Sequence, residues 1–413
     1  MLLASLSLKG SNMPKRLVIA GSGFAGTWAA IAGARARALA DRVGELEIVV
    51  VSPSPTLPIR PRFYEPELEN LAPDISGLLA EMEVGHLPGL ANAIDAGAQK
   101  LTVARKDGTL ESLAYDRLVL ATGSSLAPPA VPGAREHAFT IDQEDEAWKL
   151  DAHLRALAAR PDSLARNTVV VVGAGFTGIE LACDLPQRLR AVLGAEVDVR
   201  VVLLEQGSAV GPSLGAGPRP IIEQALTACG VTVRLNETVA SIDASGARTS
   251  RGERIEACTV VWTTGTRAHP LAQALGTQHD EIGRIRVDDF LRVPGVEHLF
   301  ATGDTACAAV DDAGHHSLPS CQHALSLGRV AGYNGVASLL DLPLHAYRQP
   351  KYVTCLDLGP WGAVLTDGWS REVQMSGAEA KALKRDINTI WIYPPTSRAA
   401  AFEQGAPDHV IVA

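Results

Sequence analysis

The residues whose spacing could do chemistry are, first of all, glycines. The stretch TVVVVGAGFTGIE, residues 168–180, sets Gly173, Gly175 and Gly178 in G-x-G-x-x-G order between four valines and a helix opening at Ile179-Glu180. In that strand–turn–helix setting the first glycine permits a tight turn, the second lets a pyrophosphate approach the backbone, and the third lets helix and strand pack closely. The unpaired amides of the helix N-terminus then face the phosphates, with Phe176 and Thr177 in the same loop. RLVIAGSGFAG repeats the form near the N-terminus with Gly21, Gly23, Phe24, Ala25 and Gly26. Two copies on one chain predict two nucleotides meeting face to face.

A second chemical signal lies one strand further on in each copy. Glu205 closes the apolar run 197–204, where a carboxylate can accept hydrogen bonds from both hydroxyls of a ribose and repel a 2′-phosphate. This predicts NADH rather than NADPH. The matching position in the first copy, after the run 47–51, is Ser52, which can bond one hydroxyl but brings no charge. Arg60 and Arg62 follow on a Pro-bounded loop, either as solvated loop charges or with one of them on a phosphate or over a cofactor ring.

The elements that must position these residues repeat as well. Strands are expected at 17–20 and 47–51, with a helix over 27–42 between them. A hairpin turns at Asp107-Gly108, and the apolar strand of residues 115–121 runs into Thr122-Gly123. A helix over 144–159 leads to the second copy, which has a helix over 220–229, strands Val231–Leu235 and Val239–Asp243, and a run into Thr264-Gly265. Both copies therefore open on the glycine loop and close on an apolar strand into Thr-Gly. VPGVEHLFATGD brings Gly303-Asp304 to a strand end, a helix is expected over 322–340, β-like stretches over 352–358 and 362–365, and a last helix over 377–392 before Pro394-Pro395.

Composition narrows the function classes. The chain has 413 residues, enough for two or three domains, and a net charge of −9, which excludes a general nucleic-acid binder. Its six cysteines (183, 229, 258, 307, 321 and 355) include no C-x-x-C and read as reduced thiols of a cytoplasmic protein. MLLASLSLKG is a poor signal peptide and reads as a loose extension, with Met13 an alternative start. No apolar run is long enough to span a bilayer.

The motif order GSGFAG, ATG, GAGFTGIE, strand-Glu, TG and FATGD resembles the two-dinucleotide-binding-domain flavoproteins of the pyridine nucleotide-disulfide oxidoreductase superfamily, and among them the type II NADH dehydrogenases and their soluble relatives. The resemblance spans roughly residues 15–335. It implies an α/β fold of two Rossmann-like domains, with the NAD domain inserted into the FAD domain and a small C-terminal α+β segment after them. The implied boundaries are 13–141 with 268–336 for FAD, 142–267 for NAD(H), and 337–413 for an acceptor or interface domain. It also implies FAD held by Gly21, Gly23, Gly26, Thr122-Gly123 and Gly303-Asp304, and NADH held by Gly173, Gly175, Gly178, Glu205 and Thr264-Gly265. Glu180 would sit near the nicotinamide. The helix starting near Gln322 would aim its positive end at the flavin, with Gln322 and His323 facing the acceptor. Hydride would pass from NADH to FAD and electrons then to a small-molecule acceptor, with a quinone favoured.

This sequence departs from the family at Ser52 and at Ser326-Leu327, where the dehydrogenases carry a Gln pair lining the quinone site. Two other readings stay open: a redox-dependent binding protein of the apoptosis-inducing-factor type, and a biosynthetic FAD oxidoreductase acting on an aromatic metabolite. Cys355 falls roughly where sulfide–quinone oxidoreductases place a redox thiol, but residues 1–182 contain no cysteine to partner it. Asp311-Asp312 and His315-His316 have metal-ligand types without regular spacing, so no metal is expected. His323 could give a proton to a reduced acceptor if it titrates near neutrality, or it is simply packed. The last helix reads as amphipathic, with Leu383, Ile387, Ile390 and Trp391 on one face and Lys381, Lys384 and Arg385 mostly opposite. Such a face docks on the protein's own sheet or contacts the inner membrane surface, while Trp361, Trp369 and Trp391 in the same segment pave an acceptor pocket or a homodimer interface.

Overall fold

Uninterrupted β-branched runs become the central strands of two parallel sheets in the computed structural model, which describes residues 14–411. Strands buried on both faces need no polar alternation, which is why TVVVV can lie wholly inside. The first sheet has the order Arg292–Val293, Val296–Ala301, Arg117–Leu120, Lys15–Ala20, Leu46–Ser52, Gly85–Pro88, parallel except at the Arg292–Val293 edge. The second has the order Val231–Leu235, Arg200–Glu205, Thr168–Val172, Thr259–Trp262, all parallel. Each copy also carries a three-stranded antiparallel sheet, over residues 90–114 in the first and 239–256 in the second.

The chain crosses from one copy to the other twice, side by side. Strand Ser124–Leu126 pairs antiparallel with Thr266–Ala268, so exit and return form one short ladder. The helix Phe24–Leu39 starts directly at the glycine loop, three residues before the expected Thr27, because Gly23 serves as its N-cap. It packs on the helix Cys321–Ala337, whose Gly328 and Gly332 let the two backbones touch.

The C-terminal part is more sheet-like than its sequence suggests. Strands Val353–Asp357 and Ala363–Asp367 were expected, whereas Glu372–Gly377 joins them as a third antiparallel strand. The single helix expected over 377–392 is a helix Ala378–Asp386 followed by a wider π-type turn, Ile387–Trp391. This segment is wedged into both cores. Tyr347, Ile392 and Ala401 join the cluster around Trp28 and Phe300, while Leu356, Leu358 and Val364 join that around Leu181 and Leu203. The N-terminal extension and Met13 lie outside the described residues.

Candidate functional site

The six fingerprint glycines divide their work the same way in both copies. A Cβ at Gly21 would collide with the Ala121 carbonyl, and one at Gly26 with the Gly21 carbonyl. Gly173 (φ +103°) would meet Thr264 Cβ at 2.9 Å, and Gly178 would strike the Gly173 carbonyl. Gly23 and Gly175, by contrast, face open space, with nothing within 4 Å of an added Cβ. No side chain caps either following helix, so its first amides stay available to an anion. The outer glycines thus close the backbone, and the middle ones leave room for a diphosphate. Beside the first loop, Thr302 Oγ1 is buried without a partner, next to Gly303. These features fit an FAD in the first cradle and a nicotinamide dinucleotide in the second.

The strand-end residues sit where the spacing predicts and are already engaged. Glu205 accepts the Ala174 amide (2.8 Å) and the Gly207 amide (2.7 Å), one oxygen each, which locks the strand tip to the glycine loop. A carboxylate offers about four lone-pair sites, so acceptors remain for a diol. Ser52 donates to the Ser54 carbonyl (2.7 Å) and lies 3.0 Å from His86 Nε2, a neutral hydroxyl-lined corner in place of an acid.

The two loop arginines separate. Arg60 pairs with Asp142, donates to the Ser124 carbonyl (3.1 Å) and stands 3.8 Å from Asp304. Asp304 itself accepts the Ser124 hydroxyl at 2.7 Å. Arg62 turns instead to Glu65 (2.6 Å) and the Tyr393 hydroxyl (2.8 Å), away from that corner. Gly123 donates its amide to Thr305 Oγ1 (2.9 Å), Gly265 accepts the Ala127 amide (3.0 Å), and Ala25 packs beneath Gly303. Phe24 is buried, Phe176 is half-buried, and Thr177 is exposed.

Glu180 is enclosed by the C-terminal segment. Its Oε1 meets Lys384 Nζ at 2.9 Å and accepts the Asp357 amide at 3.1 Å, and the Lys384 ammonium also lies 5.5 Å from the Phe176 ring centre. Burial raises the Glu180 carboxyl to about 7, against the pull of Lys384. Asp357 binds Lys381 through both oxygens (2.6 and 2.7 Å) and takes a hydrogen bond from the Tyr64 hydroxyl at 3.0 Å. The expected basic outer face of the last helix is therefore corrected. Lys381 and Lys384 both reach inward, because each finds a buried carboxylate, and Arg385 alone of the three stays exposed.

Of the two readings of His323, the structure favours the packed ring over a proton donor at neutral pH. It is 1% exposed, stacked on Tyr352 at 4.7 Å between ring centres, and burial pushes it down to about 4. Its Nδ1 accepts the Leu318 amide (3.1 Å), which leaves Nε2 buried and without a partner. Gln322, at the start of the same helix, turns its Oε1 toward the Val353 amide (3.4 Å). Cys355 has its thiol pushed up to about 11 by burial, which keeps it protonated and unreactive. Asp311 and His315 bond each other at 2.6 Å, and among the described residues no group of three or more His, Cys, Asp or Glu is placed to hold a metal ion.

Comparison with known proteins agrees with this geometry. A family model described as pyridine nucleotide-disulphide oxidoreductase matches residues 15–328. A Mycobacterium tuberculosis NADH dehydrogenase-like protein is 47% identical over 397 residues, covering 95% of this chain and 98% of that one. A demethylphylloquinone reductase of Synechocystis is 30% identical over 386 residues, covering 90% of each. Among solved structures, NDH2 of Plasmodium falciparum in complex with NADH superposes with a TM-score of 0.75 at 12% identity, over 97% of this chain and all of that one.

Proposed function

The chain belongs to the pyridine nucleotide-disulphide oxidoreductase family and is an NAD(P)H-dependent oxidoreductase, and from that premise we propose that it is an FAD-dependent NADH:quinone oxidoreductase. The observation that carries this reading is the pair of cradles, each closed by its outer glycines and open at its middle one, with a buried carboxylate ending only the second strand. When bound, the flavin supplies the redox chemistry, taking a hydride from NADH and passing electrons to the acceptor.

The chain's own residues supply binding and orientation. Gly21, Gly23 and Gly26 with Thr122-Gly123 and Gly303-Asp304 hold FAD, and Arg60 steadies the Asp304 corner. Gly173, Gly175 and Gly178 seat the diphosphate of NADH, while Glu205 accepts its ribose hydroxyls and disfavours a 2′-phosphate. Glu180 shares its proton with Lys384 in a site closed to water, so it can keep or release a proton near neutral pH as charge changes beside it. Gln322 caps the acceptor side. His323 contributes a neutral, stacked ring that shapes the wall there rather than a proton.

The domain assignment follows the same logic. The ladder between Ser124–Leu126 and Thr266–Ala268 supports an NAD unit over 142–267 inserted into an FAD unit over 13–141 and 268–336, with 337–413 closing the acceptor side. A quinone is the favoured acceptor, since the relatives include a demethylphylloquinone reductase. Quinones partition into lipid. No helix among the described residues is long and apolar enough to cross a membrane, but Ile390 and Trp391 are 64% and 58% exposed on the π-type turn and support peripheral contact there.

The decisive experiment is an anaerobic NADH titration of the flavin-loaded protein followed by rapid mixing with a soluble quinone. The flavin absorbance should bleach at one NADH per FAD and return within the mixing time scale of turnover. Bleaching without prompt return excludes a quinone as acceptor, and no bleaching excludes the second cradle as the NADH site.

A further inference from the structure

Buried nitrogen donors from Arg371, Trp369 and His323 lie around the Tyr352 ring, and none of them has an acceptor. Arg371 ends the turn between the strands Ala363–Asp367 and Glu372–Gly377, is 6% exposed, and holds its guanidinium carbon 4.5 Å from the centre of that ring. Its stem lies on Gly215, where a Cβ would come within 3.1 Å of Arg371 Cγ, so the glycine leaves the space that the side chain fills. Among the described residues no carboxylate pairs with Arg371, and its Nη1 has no hydrogen-bond partner. Trp369, on the same turn, stacks on Tyr352 at 5.3 Å and on His315 at 4.5 Å between ring centres, with its indole N–H buried and equally unpartnered. The His323 ring centre is 6.3 Å from that of Trp369. Because His323 Nδ1 accepts the Leu318 amide, the neutral ring carries its proton on Nε2, which also lacks a partner.

Buried donors left unmatched are costly, and a guanidinium without a counter-charge is the costliest of them. A cluster of donors with one formal charge and no acceptor is complementary to a monoanion that offers several lone pairs. A carboxylate has about four such positions and one charge, and its planar fork matches a guanidinium. A phosphate monoester brings about two charges, one of which would stay uncompensated away from water. We propose that Arg371, Trp369 and His323 form a carboxylate-binding subsite, and that the electron acceptor is an aromatic acid, such as a quinone bearing a carboxylate. The aromatic part follows from the walls, since Tyr352 and Trp369 offer a planar molecule ring surface beside the donors. The assignment to the acceptor rests on the function proposed above, which gives Gln322 and His323 the acceptor side.

Access follows from the placement of the donors. Arg371 and Trp369 stand on one turn, so lifting that turn opens the cluster to an incoming acid. The acid then supplies the acceptors that the closed turn lacks and holds it down again.

Binding and turnover are tested separately. The flavin-loaded protein is titrated calorimetrically, without NADH, with 2-naphthoate and with its methyl ester, which has the same ring and no charge. The acid should bind about tenfold more tightly than the ester. Arg371→Met should abolish that preference, and Arg371→Lys, which keeps the charge but not the fork, should restore part of it. Trp369→Phe keeps a stacking ring, removes only the N–H, and should reduce the preference; it serves as the test should the Arg371 variants not fold. Equal binding of acid and ester, or a preference that survives Arg371→Met and Trp369→Phe, overturns the subsite. In turnover, a naphthoquinone carrying a carboxylate should show a KM about tenfold below that of its methyl ester, and Arg371→Met should close the gap. Naphthoate binding without such a KM difference overturns the assignment to the acceptor. Protein whose flavin is not reduced by NADH refutes the proposed function, while the titration still decides the subsite.

Discussion

On the proposed function, proton handling turns on Glu180. A carboxyl raised from 4.5 to about 7 binds a proton in the folded protein that it lacks in the unfolded chain across that window. Stability therefore falls as pH rises from about 4.5 to 7 and levels off above it, the sign expected when the folded state holds the extra proton. Glu180→Gln should leave the Lys384 ammonium buried without its counter-charge, at a cost of about 3 kcal/mol in urea melts at pH 7.5. Glu180→Gln with Lys384→Met should recover most of that loss and flatten the fall between pH 5 and 7. In turnover, the inflection near pH 7 should vanish in Glu180→Gln; if it persists unchanged, another group sets it.

Glu180 and Glu205 were legible in the sequence because a fixed number of positions separates each from its glycine loop. Lys384 was not, since it arrives from some 200 positions away and looks there like one more surface lysine. His323 stayed undecided between donor and packed ring for the same reason: Tyr352 and Trp369, which stack near it, are distant in the chain.

At the level of elements, the contact that matters most is between the helices Phe24–Leu39 and Cys321–Ala337, since the first begins at one cradle and the second at Gln322. Their closest approach is at Gly332, where a Cβ would collide with the Ala29 carbonyl. Gly332→Ala must push one backbone off the other, which costs about 2 kcal/mol and should shift the helix start that carries Gln322. Urea midpoints and the fraction of FAD retained after gel filtration measure both effects. Gly335→Ala is the control, because its obstacle at 2.9 Å is the end of the Leu17 side chain, which can turn aside. Equal losses in the two variants would mean that the backbone contact at Gly332 is not what sets the cost, since helix propensity alone favours alanine at both positions.

Elements of the repeat were readable because buried parallel strands are written as plain Val and Leu runs. The strand Glu372–Gly377 and the turn Ile387–Trp391 were not. The first alternates half-buried and exposed residues with no apolar run, and the second continues a helical pattern while its backbone widens.

Across the whole molecule, the proposed function gives the C-terminal segment the acceptor side. It closes the Glu180 side by engaging Lys381 and Lys384 with buried carboxylates, and in doing so it leaves Arg385 alone of the three basic residues to face anionic lipid. What remains outward at that end is Arg385 beside an apolar tip, Ile390 and Trp391, on a chain of net charge −9. On the proposed peripheral contact, attraction through this tip is mainly hydrophobic, with Arg385 its one basic contribution of the three. Binding to vesicles of neutral phosphatidylcholine should be nearly as strong as to anionic ones and should largely survive added salt, because Arg385 alone of the three basic residues is left for ions to screen. Replacing Ile390 and Trp391 together by serine removes an anchoring contribution of roughly 3 kcal/mol, so co-sedimentation should fall by about a hundredfold. Turnover with a water-soluble quinone should be unchanged, since neither side chain contacts Glu180 or either glycine cradle. Binding that needs anionic lipid and disappears in salt would place the contact elsewhere on the surface, and the exposed tip would then be better explained as a subunit interface.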